Sequence, residues 1–101
     1  MSTRYSSFAE FYPFYLSEHS NHISRRLHFV GSCGVLALAA MAVVTGDMRW
    51  LIGALLCGYG FAWVGHFFFE KNRPATFKHP VYSFIGDWMM FKDILIGRVK
   101  L

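Results

Sequence analysis

Residues 29–69 read FVGSCGVLALAAMAVVTGDMRWLIGALLCGYGFAWVGHFFF and consist of two long apolar runs joined by a short polar turn. The first run, residues 29–45, carries no charge, and the second, residues 50–69, is interrupted only by His66. At about 1.5 Å per residue, helices of these lengths extend roughly 25 Å and 30 Å, close to the ~30 Å hydrocarbon core of a bilayer. We therefore predict two transmembrane helices over about 29–45 and 50–69.

The turn between the two runs, residues 46–49, is too short for anything but an antiparallel helical hairpin. A hairpin places both of its outer ends on the same face of the membrane. Of the ten Lys and Arg residues, only Arg49 lies in the turn, so the positive-inside rule places both termini in the cytoplasm if no further segment crosses. We predict an integral, multi-pass protein of the bacterial inner membrane or the endoplasmic reticulum.

The composition agrees with a membrane protein and excludes several other classes. The 101 residues predict one domain, residues 1–101. Hydrophobic residues make up 54% and charged residues 16%, against about 25% charged in ordinary soluble domains. This composition excludes disorder, and a soluble domain of this size would struggle to bury so much apolar surface. The net charge is +4, but the basic residues form no continuous stripe along the sequence. We therefore expect the bilayer, not nucleic acid, as the partner.

The segments that flank the hairpin, about residues 7–18 and 84–96, carry aromatic residues at helical spacing. The first opens with a capping box at residues 7–10. In the second, Asp87 and Asp93 disfavour a plain transmembrane span. Amphipathic, aromatic-rich helices beside a membrane lie in its interface. The predicted fold is all-α: a small multi-pass helical bundle built on a transmembrane hairpin, with flanking interfacial or re-entrant helices.

The hairpin also predicts where the histidines meet. His28 opens the first run and His66 lies near the end of the second, so the two share one membrane level. All five histidines can gather at the same cytoplasmic interface; they are His19, His22, His28, His66 and His79. Ionisable groups at such depth are costly and usually functional. Imidazoles suit Fe, Zn, Cu or Ni, and the spacing does not choose among these metals.

One face of the second run combines small residues with ionisable ones. Ala54, Gly58, Ala62 and His66 follow one another at i+4 steps, and Glu70 comes one turn later. Small residues mark the packed face of a membrane helix, so His66 and Glu70 are expected to point into the bundle together. The alternative is that the histidines only line an interface and that Glu70 pairs with a neighbouring cation.

Several motifs resemble one membrane family. They are FYLSEH at residues 14–19, RRLHFVG at 25–31 and GYGFAWVGHFFFEKNRPATFKHP at 58–80, with further agreement at 86–88 and 90–92. The resemblance covers roughly residues 8–98. The family is that of the 2-hydroxy fatty acid dioxygenases, whose fungal member takes part in the metabolism of phytosphingosine to odd-numbered fatty acids.

This resemblance implies an Fe(II)-dependent membrane dioxygenase that uses O₂ to shorten 2-hydroxy fatty acids by one carbon. The histidines that match the family pattern, and that would bind the iron, are His19, His28, His66 and His79. His22 departs from that pattern.

Three further residues receive hypothetical roles at this centre. Glu70 is either a further iron ligand or the acceptor for an imidazole N–H, and Asp87 is a second candidate acceptor. Arg73 is adjacent to Glu70 along the turn and is the candidate that holds the substrate carboxylate. The acyl tail would run along the small-residue groove between the two spans.

Two other functions remain open at this point. One is a haem-binding electron carrier with His28 and His66 as axial ligands. The other is a non-catalytic membrane scaffold. Zinc in the same ligand set is a further alternative to iron, because it outcompetes ferrous iron at most such sites.

Overall fold

The computed structural model describes residues 5–101, which form α-helices joined by short connections, with no β-strand in that range. The four α-helices are α1 (Phe8–Ser17), α2 (His22–Thr45), α3 (Trp50–Val64) and α4 (Pro80–Leu95). A π-helical segment, Gly65–Glu70, continues α3, and a short 3-10 helix, Ala75–Phe77, precedes α4. The predicted all-α class is confirmed. Residues 1–4 of the predicted domain lie outside the described residues.

Two helical stretches are long and apolar enough to cross a membrane, namely α2 and the continuous stretch Trp50–Glu70. An 18-residue segment within each stretch has a mean hydropathy of 2.1 and 1.5, respectively. Only 22% and 17% of these segments are buried inside the protein. Val43 and Val44, for example, are each 81% exposed. A core helix of a soluble domain would be covered by its neighbours, so this apolar outer surface favours a membrane protein.

The first long helix begins at His22 and not at Phe29, because Asn21 caps it. The Asn21 side-chain oxygen accepts hydrogen bonds from the backbone N–H groups of Ile23 and Ser24, at 2.9 and 3.2 Å. The helix ends where Gly46 adopts the left-handed conformation, φ 71°, that closes many helices. After this turn α3 packs antiparallel along α2, from Trp50 onward.

The two helices that flank the hairpin, α1 and α4, pack against each other beside one end of it. The α1 start agrees with the predicted capping box, since the Ser7 hydroxyl accepts the Glu10 N–H at 3.2 Å. Helix α4 starts at Pro80, before the predicted residue 84, because proline favours the first helical turn. The buried core between these helices consists of Phe11, Tyr15, Ala75 and Met90.

A glycine allows this close packing. A Cβ atom built on Gly86 would lie 3.0–3.2 Å from three ring atoms of Tyr15, a side chain that is only 1% exposed. Gly86→Val is therefore expected to push α1 and α4 apart and to lower the free energy of unfolding by about 1–3 kcal/mol. Thermal unfolding in one detergent measures this. Gly60→Val is the matched control because a Cβ there meets nothing within 4 Å; equal losses in both variants would contradict the argument.

Candidate metal centre

Three of the predicted ligands, His19, His28 and His66, lie side by side in the fold. The ring centroids of His19 and His66 are 4.4 Å apart, and those of His19 and His28 are 5.4 Å apart. Their side chains are buried, with exposures of 1%, 5% and 3%. Antiparallel packing of α2 on α3 and its π-helical extension brings His28 and His66 together, and the link between α1 and α2 adds His19.

The His19 ring has one nitrogen that the chain satisfies and one that it does not. Nδ1–H donates to the Tyr15 carbonyl oxygen at 2.8 Å, and because a carbonyl only accepts, the proton belongs on Nδ1. Nε2 is then a lone-pair acceptor, and it is buried without a hydrogen-bond partner in the described residues. Burial lowers the pKa of His19 well below its usual value. The ring is therefore neutral, which is the form that binds metals.

The tautomer of His66 is fixed by Asn72. The Asn72 Nδ2 donates to the Glu18 carbonyl at 3.2 Å, which turns its amide oxygen toward His66. That oxygen accepts the His66 Nδ1–H at 2.6 Å. Nε2 is consequently the nitrogen of His66 that is left for a ligand.

His28 is held by a carboxylate. Its Nε2–H donates to Asp87 Oδ1 at 3.0 Å, and the Tyr15 hydroxyl donates to the same oxygen at 2.5 Å. Burial beside Asp87 raises the pKa of the Tyr15 phenol well above its usual value, so the phenol keeps its proton. His28 Nδ1 is buried without a partner in the described residues. Each of the three imidazoles thus uses one nitrogen on an oxygen of the chain and keeps the other, as metal-binding histidines do.

A small cavity of about 20 Å³ lies between these rings and is also lined by Asp87. A space of this size holds roughly one water molecule or one ion. It leaves no room for a porphyrin between His28 and His66, which disfavours the haem carrier.

The donor set fits a metal, although the side chains do not enclose one. Within residues 5–101 no group of three or more His, Cys, Asp or Glu side chains is arranged so as to hold an ion. The ring nitrogens are nevertheless suitable metal ligands. Two of them, His19 Nε2 and His28 Nδ1, are buried, and their lone pairs have no hydrogen-bond partner in the described residues. Such unsatisfied buried acceptors are rare in native proteins, and an ion is one of the few things that satisfies them.

The other predicted histidines lie elsewhere. The His79 ring packs among the rings of Tyr5, Phe11 and Phe14, at centroid distances of 5.3–6.2 Å. In the part of the chain that the structure describes, it makes no ring contact with the three clustered imidazoles. His22 is exposed at the first residue of α2.

Glu70 does not hydrogen-bond to His66 in the described structure. Its carboxylate accepts the Asn21 N–H at 2.8 Å and the Ser20 hydroxyl at 3.4 Å, and so it ties the link between α1 and α2 to the π-helical segment. The predicted placement of Glu70 beside His66 requires an α-helix, in which residues four apart share a face. A π-helix bonds i to i+5, so this register is shifted.

Arg73 and Asp87 differ in their surroundings. Arg73 is exposed and has no hydrogen bond or ion pair within the described residues, and the next residue, Pro74, lines the small cavity. Asp87 is hydrogen-bonded to His28, as an imidazole acceptor should be.

Two partners of the histidines, Tyr15 and Asn72, were not predicted from the sequence. Asn72 reaches back to His66 because Lys71 adopts a left-handed conformation, φ 58°, and the Asn72 N–H then donates to the His66 carbonyl at 3.0 Å. Neither the left-handed lysine nor the π-helical segment has a clear local sequence signal. Gly65 allows the π-helical segment to lie close to α2, since a Cβ there would lie 2.8 Å from Ser24 Oγ and 3.3 Å from Ser24 Cα.

An apolar groove of about 350 Å³ adjoins the histidine cluster and runs between α2 and α3. It shares His28, Tyr59, Ala62 and Asp87 with the small cavity. Ala54, Gly58 and Ala62, the predicted small face of the second run, all line it.

Comparison with models of known protein families gives a match. A family model described as "2-hydroxy-palmitic acid dioxygenase Mpo1-like" matches residues 5–99, nearly the whole chain. No curated protein and no solved structure matches the chain significantly.

Proposed function

The chain belongs to the Mpo1-like family, and from this premise we propose that it is a membrane dioxygenase that shortens 2-hydroxy fatty acids by one carbon at an Fe(II) centre. The family description supports the dioxygenase activity and the hydroxy-acid substrate. One observation carries the location of the centre: three buried imidazoles adjoin one another, each bonded to the chain through one nitrogen and each with the other left over. The apolar outer surface supports the bilayer as the environment.

In this proposal His19 Nε2, His66 Nε2 and His28 Nδ1 would hold the iron, and His79 stays a predicted further ligand. Ferrous iron, when bound, would supply the site at which O₂ and the hydroxy acid react. Tyr15, Asn72 and Asp87 keep the rings in the tautomers that leave these nitrogens unprotonated. Glu70 holds the Ser20–Asn21 link in place, and this positions the neighbouring His19.

The remaining polar groups act on the substrate. Asp87 lines both the small cavity and the apolar groove, so its carboxylate takes the proton of the 2-hydroxyl group. Arg73 has no partner in the described structure and directly precedes Pro74, which lines the small cavity. Its guanidinium pairs with the substrate carboxylate. The apolar walls of the groove keep water away from the reacting carbons.

The overall reaction balances without an added reductant. A 2-hydroxy acid, R–CH(OH)–COOH, reacts with O₂ to give R–COOH, CO₂ and H₂O. The bond between C1 and C2 breaks, and O₂ takes up all the electrons that the acid releases. Release of formic acid in place of CO₂ would leave one oxygen atom to be reduced by another donor.

Turnover by the purified protein tests this function. Zinc is first removed with a chelator, because it would occupy the same ligands. The protein is then loaded with ferrous iron under anaerobic conditions, because O₂ oxidises free ferrous iron. It is then given O₂ and 2-hydroxypalmitate labelled at C1. We expect labelled CO₂ and the acid that is one carbon shorter, in equal amounts, and no reaction of the 3-hydroxy isomer. An iron-loaded protein that leaves 2-hydroxypalmitate unchanged would overturn the proposal.

Asn72 offers a separate test of the histidine tautomer. Asn72→Ala removes the acceptor for the His66 Nδ1–H, so we expect ferrous affinity to fall about 10–100-fold. Asn72→Asp keeps an oxygen acceptor at this position and is expected to bind iron much better than the alanine variant. Titration with ferrous iron measures both affinities. Equal losses in the two variants would show that the acceptor for His66 does not matter.

A further inference from the structure

The apolar groove between α2 and α3 has a polar end and an apolar end. On α2 it is lined by His28, Ser32, Val35 and Ala39, which follow one another along one face of the helix. The polar residues His28, Ser32 and Asp87 lie at the end next to the imidazoles. Leu51 and Leu55 line the opposite end, toward the hairpin turn.

Helix α4 closes the polar end. Phe84, Asp87 and Trp88 are the residues through which α4 lines the groove, and Asp87 is fixed there by its bond to His28. His28 is only 5% exposed, and its Nδ1 has no partner in the described residues. The groove therefore begins at His28 and Asp87, the two polar residues that the proposed function places at the iron and at the 2-hydroxyl group.

The dimensions of the groove suit a long hydrocarbon chain. From His28 to Ala39 an α-helix rises about 16 Å. An extended chain advances about 1.2 Å per bond, so roughly thirteen carbon–carbon bonds fit along this length. With the carboxyl and hydroxyl carbons placed at the imidazoles, this gives an acid of about fifteen carbons.

We infer that the groove binds the acyl chain of the 2-hydroxy acid with its head at His28 and Asp87, and that Ala39 sets the longest chain that fits. The inference rests on the proposed function for the identity of the head group. It adds the direction of the chain and the residue that determines length specificity. A small side chain at position 39 leaves the distal end of the groove open, and a large one would fill it.

Ala39→Phe tests the inference. With this variant we expect KM for 2-hydroxypalmitate to rise at least about tenfold, as expected when a packed apolar site is overfilled. KM for 2-hydroxydecanoate should stay within about twofold, because the shorter chain ends before position 39. Ala40→Phe is the matched control, since Ala40 is the next residue on α2, is exposed and does not line the groove. It should leave both acids unaffected.

The outcomes separate this inference from the proposed function. If the wild type turns over 2-hydroxypalmitate but Ala39→Phe affects both acids equally or neither, the inference is wrong and the function stands. A second readout does not depend on activity: iron-free protein in nanodiscs is photolabelled with 2-hydroxypalmitate that carries a diazirine at its last carbons. Adducts near Ala39, Leu51 and Leu55 that disappear in Ala39→Phe support the inference. Adducts spread over the lipid-facing surfaces, or unchanged in the variant, overturn it.

Discussion

His66→Ala is expected to lose ferrous iron and hydroxy-acid turnover together. His66 is 3% exposed, its ring lies 4.4 Å from that of His19, and Asn72 leaves only its Nε2 for a ligand. Loss of a residue that merely orients a metal ligand costs about 10–100-fold in affinity, so loss of the ligand itself should cost at least about a hundredfold. Iron content after desalting and the rate of 2-hydroxypalmitate turnover measure the effect.

Controls distinguish the loss of a metal ligand in His66→Ala from misfolding of the variant. His22→Ala removes an exposed histidine outside the cluster and should keep both iron and turnover. Added imidazole should restore part of the iron binding to His66→Ala by entering the space that the side chain leaves. Of the four predicted ligands, His79 should show the smallest loss on substitution by alanine, because its ring packs against Phe11 and Phe14 of α1. A folded His66→Ala protein with normal iron and turnover would refute the proposed centre.

Asp87→Asn is expected to lower kcat for 2-hydroxypalmitate by about 10²–10⁴-fold, the usual contribution of a general base. The amide oxygen can still accept the His28 Nε2–H, so iron content should stay the same. The amide cannot take the proton of the 2-hydroxyl group, because it lacks the negative charge of the carboxylate. Steady-state kinetics on the iron-loaded variant, with iron measured in the same sample, give both numbers.

Tyr15→Phe is the matched comparison for Asp87→Asn. It removes one hydrogen-bond donor from the Asp87 carboxylate and leaves the carboxylate in place. We expect a smaller loss in kcat than in Asp87→Asn, because the carboxylate that takes the proton remains and a hydrogen bond to a charged group contributes only about 1.5–3 kcal/mol. If turnover in Asp87→Asn fell only in proportion to lost iron, Asp87 would merely hold His28, and its proposed action on the substrate would be wrong.

The helical hairpin was predictable because its causes are local. Two uncharged runs, a short turn with Gly46 and a stripe of small residues are all visible in the sequence, and they bring His28 and His66 together. The helix starts were less accurate, because caps such as Asn21 and Pro80 set them and the apolar pattern does not.

The hydrogen-bond partners of the histidines were harder to predict because they depend on non-local geometry. Glu70 was expected beside His66, but the π-helical segment shifts it toward Asn21, and Asn72 takes its place. That arrangement requires Lys71 in a conformation that lysine rarely adopts. His79 was grouped with the other histidines by topology, yet its ring packs among aromatic side chains whose arrangement only the fold determines.

The most direct measurement is a crystal structure of the iron-loaded protein with anomalous data on both sides of the iron absorption edge. It locates iron independently of any assumption about activity. We predict a single iron peak within bonding distance of His19 Nε2, His66 Nε2 and His28 Nδ1, with His28 Nε2 still bonded to Asp87. An iron peak away from these three nitrogens, or bound to His28 through Nε2, would contradict the proposed centre.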